Sequence, residues 1–412
     1  MKIGILTFHR SYNYGAYMQS YALSKRVKKD FPNAEVEIID YVTARMYRNY
    51  DTSLKTFIFG TADKRNSLIT ALKKMAKLIL RPAQIKRTRI LHRAFERELK
   101  YLPLSDYHIV SDDCAEAFDA IRGKYDIIVV GSDCVWEFIT YGFPNPYFLN
   151  DDLGSVKMSY AATSDRMHIS ALTATQIDYM KDSLNDFAYL GIRDIATQNL
   201  LENIIPQHKV SHNCDPTILL EMDDLSEEKA IVEKKLIDAG IDLKKPIIGL
   251  MCGEPIAEAA MAHFGQDYQY VSVYWYNKNS DANLMDLSPR EWATVFSFFK
   301  LTVTRFFHGT LLSMKNGTPV LTIDEWPMTD SRHISKLEDL YNRLNLKEHY
   351  CRRSDFFDPE KQREILNTAQ GFIDNSTDKQ KIASALEKEA ATYLDFASEL
   401  EKVISNINMK EK

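Results

Sequence analysis

The 412-residue sequence has little of several features that mark common protein classes. Its five cysteines are scattered and form no Cys-x-x-Cys pair, which argues against a disulfide framework or a structural zinc site and favours a reducing cytoplasm. No stretch approaches the ~20 apolar residues that a transmembrane helix needs. With a net charge of −5, the chain also lacks the basic excess of a dedicated nucleic-acid-binding protein. We therefore expect a cytoplasmic protein that is soluble or at most peripheral to a membrane.

The first residues lack what a targeting segment requires. The apolar run in MKIGILTFHR is too short for a signal peptide, and it predicts a buried strand at residues 2–8. The following turn at residues 11–15 lacks the Gly-x-Gly-x-x-Gly fingerprint, so dinucleotide binding is not supported. A helix at residues 16–28 and a second strand at residues 35–40 complete a βαβ order, which is typical of a doubly wound sheet.

Further apolar runs predict two α/β units. The predicted strands cover residues 125–130, 156–161 and 189–192, and then 246–251, 269–274, 300–304 and 319–323. Because the chain is too long for one ordinary core, we predict an α/β protein with two Rossmann-like domains that face each other across a cleft. The predicted domains are residues 1–220 and 221–377. A long C-terminal helix within residues 378–412 is expected to pack back on the first domain.

Positive charge is concentrated in one segment of the predicted first domain. Residues 64–100 contain 12 Lys or Arg residues against two acids, Glu96 and Glu98. Helices are predicted at residues 68–80 and 83–99, with Pro82 between them. A basic amphipathic helix can lie on an anionic membrane surface. The commoner alternative is a solvated helical insertion, at about residues 60–100, that packs on its own domain.

The strongest candidate for chemistry is the segment at residues 304–310, where Arg305 and His308 lie between a predicted strand and a helix predicted to begin at Gly309 and Thr310. The start of a helix presents free N–H groups and a positive dipole end, which suit an anionic ligand. Arg305 adds a permanent forked cation, and His308 adds a group that exchanges a proton near neutral pH. The alternative is a structural turn with an ordinary surface ion pair.

Other candidate residues follow predicted strands or lie in a nearby polar loop: Asn13, Gly15, Ser132, Asp133, Arg193 and Arg332. Asn13 and Gly15 can adopt the left-handed conformations that a tight strand-to-helix turn requires. For Ser132 and Asp133, a functional role and a packing role have equal weight. Asp133 has no second carboxylate nearby in the sequence, so no metal site is predicted.

The motifs carrying these residues, in this order, resemble those of the polysaccharide pyruvyl transferase family. They are GILTFHRSYNYGAYMQSYAL at residues 4–23, YDIIVVGSDCVW at 125–136, SYAAT at 159–163, GIRD at 191–194, DPTILL at 215–220, LSPREW at 287–292 and TRFFHGTLLSMKNGTPVL at 304–321. The ordered set spans most of the chain and is far more specific than any single motif. The chain departs from the family at Cys134 and Glu137, where Gln and Asn are common.

The resemblance implies a glycosyltransferase-B-like (GT-B-like) fold with its site in the cleft. It implies transfer of the pyruvyl group of phosphoenolpyruvate onto two hydroxyls of a sugar, in a polysaccharide or its precursor, to form a cyclic ketal. No step of this reaction demands a metal or a cofactor, and the sequence leaves open whether the acceptor is a lipid-linked oligosaccharide. Arg305 and His308 would hold and protonate the donor, and Arg193 would bind its anionic groups. Gly309, Thr310 and the other candidates would complete the substrate site.

Two other functions fit the same predicted fold. One is a glycosyltransferase that uses a nucleotide sugar, although no ribose- or base-reading motif is evident in the second half. The other is a noncatalytic sugar-binding protein, against which the joint presence of Arg305, His308 and Arg193 argues. A comparison of phosphoenolpyruvate with nucleotide sugars in a binding assay separates these alternatives.

Overall fold

The computed structural model describes residues 1–46, 82–139, 141–165, 167–325 and 334–410. Arg332 and the helix predicted at residues 68–80 lie outside the described residues. The described strands are β1 (Lys2–Leu6), β2 (Glu35–Ile38), β3 (Tyr41–Val42), β4 (Ile109–Val110), β5 (Ile127–Val130), β6 (Val156–Ala162), β7 (Phe187–Ile192), β8 (Val210–His212), β9 (Ile247–Met251), β10 (Gln269–Val273), β11 (Ala282–Leu284), β12 (Leu301–Thr304), β13 (Val320–Asp324) and β14 (Tyr350–Arg352).

Two six-stranded parallel sheets form the framework of the molecule. The first has the strand order β2-β1-β5-β6-β7-β8, and the second has the order β11-β10-β9-β12-β13-β14. The register of the first sheet pairs Ile3 with Ile127, and that of the second pairs Thr302 with Gly249. All four residues of β5 are buried, as expected for a parallel strand that is covered on both faces. A separate parallel pair joins β3 to β4.

Helices connect the strands and cover both sheets. They are α1 (Tyr14–Asp30), α2 (Pro82–Glu96), α3 (Cys114–Ile121), α4 (Ala174–Leu184), α5 (Ile195–Ile204), α6 (Ser226–Asp238), α7 (Glu254–Phe264), α8 (Pro289–Val295), α9 (Phe307–Lys315), α10 (Lys336–Leu344), α11 (Arg353–Phe356), α12 (Pro359–Phe372), α13 (Ser376–Ala390) and α14 (Tyr393–Lys410). None of the described helices is long and apolar enough to cross a membrane.

The main sequence predictions of the fold are confirmed. Each predicted strand overlaps an observed one, and the two sheets give the predicted α/β class. Ser288 and Glu291 form a capping box at the start of α8, with one hydrogen bond in each direction. The region predicted as one helix from residue 378 is divided into α13 and α14, and α14 has 18 residues. The proposed domain boundaries at residues 220 and 377 remain predictions.

The last helix returns to the first sheet. The ring of Phe396 in α14 lies 4.9 Å from that of Tyr160 in β6 and 5.8 Å from that of Tyr189 in β7. The guanidinium of Arg26 in α1 lies 4.5 Å from the ring centre of Tyr393. These contacts bury the apolar face of α14 against a sheet that precedes it in sequence by about two hundred residues, and so they tie the end of the chain to its first half.

Helix α2, from the basic segment, connects the two halves of the molecule. On one side, the ring of His92 stacks 4.0 Å from the ring of Tyr12. On the other side, the guanidinium of Arg87 lies 3.3 Å from the ring centre of Tyr276, which follows β10. Just beyond α2, Glu98 accepts a hydrogen bond of 2.6 Å from Arg290 of α8. The described part of the basic segment is therefore packed on its own protein and borders both sheets.

Candidate active site

A cavity of about 980 Å³ lies between the carboxyl ends of the two sheets. Its acidic, basic and histidine lining residues are Asp133, Glu137, Asp165, His168, Asp194, Arg305, His308, Asp324, Glu325, Lys336 and Asp339. The first five of these come from the half of the chain that forms the first sheet, and the rest come from the second half. In doubly wound folds, ligands bind beyond the carboxyl ends of the strands, so this cavity is the candidate site.

Four helices begin at the cavity wall. The first residues of α1, α5, α9 and α10 all line it. Side chains cap three of them: Asn13 caps α1, Asp194 caps α5 and Ser335 caps α10. Helix α9 differs, because its N-cap residue Phe306 provides no side-chain hydrogen bond. The first N–H groups of α9 therefore remain available to an anionic ligand, at the positive end of the helix dipole.

The sequence prediction placed the start of α9 too late. The helix begins at Phe307, not at Gly309, so His308 belongs to its first turn. Gly309 is packed against the second sheet, since a Cβ atom there would lie 2.8 Å from both Met251 Sδ and Thr304 Oγ1. Thr310 is fully buried and shares a hydrogen bond of 2.7 Å with Thr322 Oγ1. Neither Gly309 nor Thr310 is part of the cavity lining.

His308 crosses to the first half of the molecule and packs on Gly15 of α1. A Cβ atom on Gly15 would lie 2.0 Å from His308 Nδ1, so only glycine leaves room for the imidazole. On its other side, His308 Nε2 lies 3.4 Å from Asp215 Oδ2. This Nε2 is buried and makes no hydrogen bond with any described atom.

The turn before α1 has a different conformation from the predicted one. Asn13 has φ −104° and uses its side chain to cap the N–H groups of Gly15 and Ala16. Gly15 lies within the helix, and Tyr12 instead takes the left-handed conformation with φ 46°. Asn13 and Gly15 do line the cavity. The reason for a glycine at position 15 is thus the approach of His308, and not a left-handed turn.

A buried ion-pair network lies beneath His308. Arg193 is 1% exposed and donates hydrogen bonds to Asp215 Oδ2 at 2.6 Å and to Asp133 Oδ1 at 3.0 Å. Burial alone would raise the pKa of Asp215, but His308 and Arg193 more than offset burial, and the pKa is lowered. The pKa of Asp133 is lowered in the same way, with Arg193 as the main opposing charge. Both carboxyl groups are therefore ionised at neutral pH.

Arg193 and Ser132 lie outside the cavity lining, in contrast to the expectation that they contact substrate. The two carboxylates bind the guanidinium of Arg193, whose carbon lies 4.7 Å from the ring centre of Phe307. Ser132 is fully buried, and its hydroxyl donates to Gln19 Oε1 at 3.0 Å. Of Ser132, Asp133, Arg193 and Asp215, only Asp133 lines the cavity. Its backbone has φ 77°, a conformation that is rare for residues other than glycine and recurs at functional sites.

Arg305 lies at the cavity wall between strand β12 and helix α9. Its guanidinium forms an ion pair with Glu325, which directly follows β13. Lys336, the first residue of α10, adds a second permanent cation to the lining, and its Nζ lies 3.9 Å from Asp165 Oδ1. Sequence reasoning missed Glu325, Lys336 and Asp215. The quoted DPTILL motif begins with Asp215, and Ser335 before Lys336 is a helix-cap signal, so both positions carried some sequence indication.

Cys134 lies next to Asp133 in the cavity lining, and its thiol donates to Asp133 Oδ1 at 3.4 Å. Burial, together with the charge of Asp133, raises the pKa of this thiol well above its usual value. Cys134 is therefore protonated at neutral pH, which makes it a poor nucleophile.

Comparisons with known proteins agree with this architecture. A family model described as polysaccharide pyruvyl transferase matches residues 13–327, which is more than half of the chain. No curated protein matches the sequence significantly. Among solved structures, the UDP-GlcNAc 2-epimerase from Neisseria meningitidis bound to UDP-GlcNAc is similar, with a TM-score of 0.53 and 12% identity over 98% of this chain and 100% of that chain.

Two further structures have a similar degree of likeness. A putative UDP-N-acetylglucosamine 2-epimerase from Listeria monocytogenes has a TM-score of 0.51 and 13% identity, over 100% of this chain and 97% of that chain. The UDP-GlcNAc 2-epimerase from Methanocaldococcus jannaschii has a TM-score of 0.50 and 12% identity, over 94% and 100% of the two chains. At such low identity the likeness shows the GT-B-like fold alone.

Proposed function

The chain belongs to the polysaccharide pyruvyl transferase family, and on that premise we propose that it transfers the pyruvyl group of phosphoenolpyruvate onto two hydroxyls of a sugar to form a cyclic ketal. One observation supports this proposal most directly. His308 and the uncapped start of α9 lie at the same cavity, and Arg305 and Lys336 line that cavity too. A donor with a carboxylate and a phosphate needs several such positive groups, and its reaction needs one proton donor.

The acidic residues of the lining do not contradict an anionic donor, because cations or hydrogen-bond donors of the protein already bind several of them. Asp133 is bound by Arg193, and Glu325 is paired with Arg305. Asp194 caps α5 through the N–H of Thr197 at 2.8 Å. Asp339 pairs with Arg343. We infer that the donor displaces Glu325 from Arg305, and that Asp133 accepts a hydrogen bond from an acceptor hydroxyl.

The proposed reaction begins with protonation. Protonated His308 gives its proton to the methylene carbon of phosphoenolpyruvate, and the positive charge develops at C2. A first sugar hydroxyl attacks C2 and loses its proton, which restores protonated His308. The second hydroxyl then replaces phosphate at C2, and its proton leaves with the phosphate. His308 returns to its starting state after one turnover, and the site residues provide binding, orientation and acid–base chemistry.

A direct assay tests this function. The purified full chain is incubated with phosphoenolpyruvate and a panel of sugar acceptors, including lipid-linked oligosaccharides, and is assayed for phosphate release and for a product heavier by one pyruvyl unit. The proposal requires both signals to depend on the same acceptor. Parallel reactions contain nucleotide sugars without phosphoenolpyruvate. Release of a nucleoside diphosphate in those reactions, with no ketal in the first set, would instead identify a glycosyltransferase.

The contact between Gly15 and His308 gives a specific prediction. Gly15→Ala is expected to push the imidazole from its place, because the added Cβ would lie 2.0 Å from Nδ1. We expect the free energy of unfolding to fall by about 1–3 kcal/mol, and turnover to fall by ~10²-fold because the proton donor is misplaced. Urea denaturation and the phosphate-release assay measure the two effects.

Gly371→Ala is the matched control, since a Cβ at position 371 meets no atom within 4 Å. Gly371 lies inside helix α12, so alanine there should leave turnover unchanged and should not reduce stability. If Gly15→Ala behaves like this control, the position of His308 does not depend on Gly15.

We also propose that the basic segment contacts an anionic membrane surface when the acceptor is lipid-linked. The described part of the segment supports this, because Lys86, Arg89, Arg93 and Arg97 are exposed while Phe95 is buried against the protein. Each basic residue near an anionic surface contributes about 1 kcal/mol of attraction. Replacing the four exposed residues by Gln is therefore expected to reduce co-flotation with phosphatidylglycerol vesicles by about tenfold or more.

A matched variant neutralises four exposed lysines elsewhere: Lys361, Lys379, Lys388 and Lys402. Both variants lose the same net charge, so a general electrostatic effect would reduce flotation equally in the two. Equal flotation of the two variants, or flotation that is unchanged by the four substitutions in the basic segment, contradicts the proposed membrane contact.

A further inference from the structure

Two aromatic residues directly follow strand β10 beside the candidate site. Tyr274 lines the cavity next to Phe306. The following residue, Trp275, is not a lining residue, but it lies beside the lining residues Arg305 and Phe306 and has 39% of its surface exposed. Both residues follow the carboxyl end of a strand in the second sheet, which is where ligands bind in such folds. An exposed tryptophan at this position leaves a large apolar surface in contact with water.

The backbone holds this aromatic pair in an unusual conformation. Tyr274 has φ 65°, which is rare for a bulky residue, and the N–H of Trp275 donates to Val273 O at 2.7 Å. Strained backbone of this kind occurs at ligand-binding sites, where the surrounding structure must maintain it. The rings of Tyr274 and Phe306 meet edge to face with centroids 5.7 Å apart, which further restricts both side chains.

Trp275 is also adjacent to the charged part of the cavity. The guanidinium carbon of Arg305 lies 5.4 Å from the Trp275 ring centre, and the ring of Phe306 lies 6.1 Å away. A ligand on the Trp275 ring would therefore contact, or nearly contact, the residue proposed to bind phosphoenolpyruvate. The cavity volume of about 980 Å³ leaves space for a second ligand beside a donor as small as phosphoenolpyruvate.

A sugar ring suits this surface better than other neutral ligands. One face of a pyranose carries C–H bonds that pack on an aromatic ring, while the hydroxyls at its edge need hydrogen-bonding groups. The cavity provides such a group in Glu325, which directly follows β13 and pairs with Arg305. An aromatic surface close to a carboxylate thus matches both the apolar face and the polar edge of a pyranose.

We propose that Trp275, bordered by Phe306 and Tyr274, is the platform on which the acceptor pyranose stacks. This inference rests on the proposed function, because it names the place of the acceptor in that reaction. Stacking on Trp275 brings the sugar next to Arg305, and so its hydroxyls come close to the bound donor. The competing role for Trp275 is to position Arg305, and this role predicts an effect on donor binding instead.

The experiment measures sugar binding and donor binding separately in Trp275→Ala, Trp275→Phe and the wild-type full chain. Saturation-transfer NMR without phosphoenolpyruvate uses methyl glycosides of glucose, galactose, mannose, N-acetylglucosamine and N-acetylmannosamine as probes. At least one glycoside is expected to bind through the C–H groups of one ring face. Its Kd should rise by about tenfold or more in Trp275→Ala, and by less in Trp275→Phe, which keeps an aromatic ring.

Phe357→Ala is the control, since Phe357 is also exposed (40%) and lies outside the cavity lining. This variant should bind the glycosides as the wild type does. Calorimetry with phosphoenolpyruvate should give the same Kd for the wild type and Trp275→Ala. The inference is overturned if no glycoside binds, if Trp275→Ala binds glycosides like the wild type, or if that variant loses donor affinity instead of sugar affinity.

The same data separate this inference from the proposed function. Glycoside binding that depends on Trp275, together with no phosphate release from phosphoenolpyruvate, would retain the sugar platform and reject pyruvyl transfer. Ketal formation with an acceptor KM that Trp275→Ala does not change would retain pyruvyl transfer and reject the platform.

Discussion

His308→Ala is expected to lower turnover by ~10²–10⁴-fold, which is the usual contribution of a positioned acid–base group. The imidazole is held between Gly15 and Asp215 and, in the proposed reaction, provides the proton that activates phosphoenolpyruvate. The variant should still bind the donor, because Arg305, Lys336 and the start of α9 are unchanged. We therefore expect a large fall in kcat and a small change in the Kd for phosphoenolpyruvate, measured by phosphate release and by calorimetry.

Two further variants make this result specific. His308→Gln keeps a side chain that can form hydrogen bonds but cannot act as an acid, so it should be as slow as His308→Ala. His208→Ala removes a half-buried histidine near β8 that is not part of the cavity lining, and it should leave kcat unchanged. If His308→Gln keeps near-normal turnover, another group donates the proton and the proposed role of His308 is wrong.

Arg193→Met is expected to lower the free energy of unfolding by about 3–5 kcal/mol, because it leaves two buried carboxylates without their shared cation. Asp133 and Asp215 both accept hydrogen bonds from Arg193 in the native structure. Rearrangement of the two carboxylates should also move Phe307, because its ring lies beside the Arg193 guanidinium. His308 is the next residue in the chain and should move with Phe307. Turnover should therefore fall even though Arg193 does not line the cavity. Urea denaturation measures the loss of stability.

The pH dependence of this loss identifies its cause. In the wild type, the lowered pKa values of Asp133 and Asp215 stabilise the fold above their ordinary value of ~4, and this contribution disappears as the pH falls. In the variant, the loss of Arg193 removes the main charge that opposes burial at Asp133 and one of the two that oppose it at Asp215, where His308 remains. Both pKa values should therefore rise from their wild-type positions, that of Asp133 most, so the penalty is largest at neutral pH and decreases as protonation neutralises the carboxylates. The stability difference should therefore be larger at pH 7 than at pH 4.5.

Arg122→Met provides the comparison for a surface ion pair. Arg122 pairs with Asp119 and Asp151, and all three side chains are well exposed. Exposed ion pairs contribute little to stability, so this variant should unfold like the wild type at both pH values. A loss of stability in Arg193→Met that is the same at pH 7 and pH 4.5 would show that the buried carboxylates are not its cause.

The strands and the fold class could be predicted from the sequence because both depend on local patterns. The run at Ile127–Val130 is apolar at every position, as a strand buried on both faces must be, and the structure places it inside the first sheet. The short strand Ala282–Leu284 was missed, because three residues at a sheet edge carry little periodic signal. The start of α9 was placed two residues late, since Phe307 and His308 are indifferent helix formers.

The site was predicted only in part. Arg305, His308, Asp133, Asn13 and Gly15 do meet in the cavity, because each lies where a strand ends or a helix begins. The residues that differ from expectation show what such local reasoning omits. Ser132 and Thr310 occupy the same junctions, but their hydroxyls bond to Gln19 and Thr322 inside the protein. Position after a strand does not determine which way a side chain points.

By itself, the sequence determined the two α/β units and the family, because alternating apolar runs and ordered motifs are properties of the chain as written. Only the tertiary structure decided which residues share one site. His308 and Gly15 are separated by almost three hundred positions, and the glycine is required because the imidazole of His308, from helix α9, occupies the space of a Cβ. Arg193 shows the same dependence on tertiary structure, because its sequence position suggested a contact with a ligand. In the structure it is buried and donates hydrogen bonds to Asp133 and Asp215, and Asp215 in turn lies next to His308. Long-range packing sets such distances, and no local pattern in the chain records them.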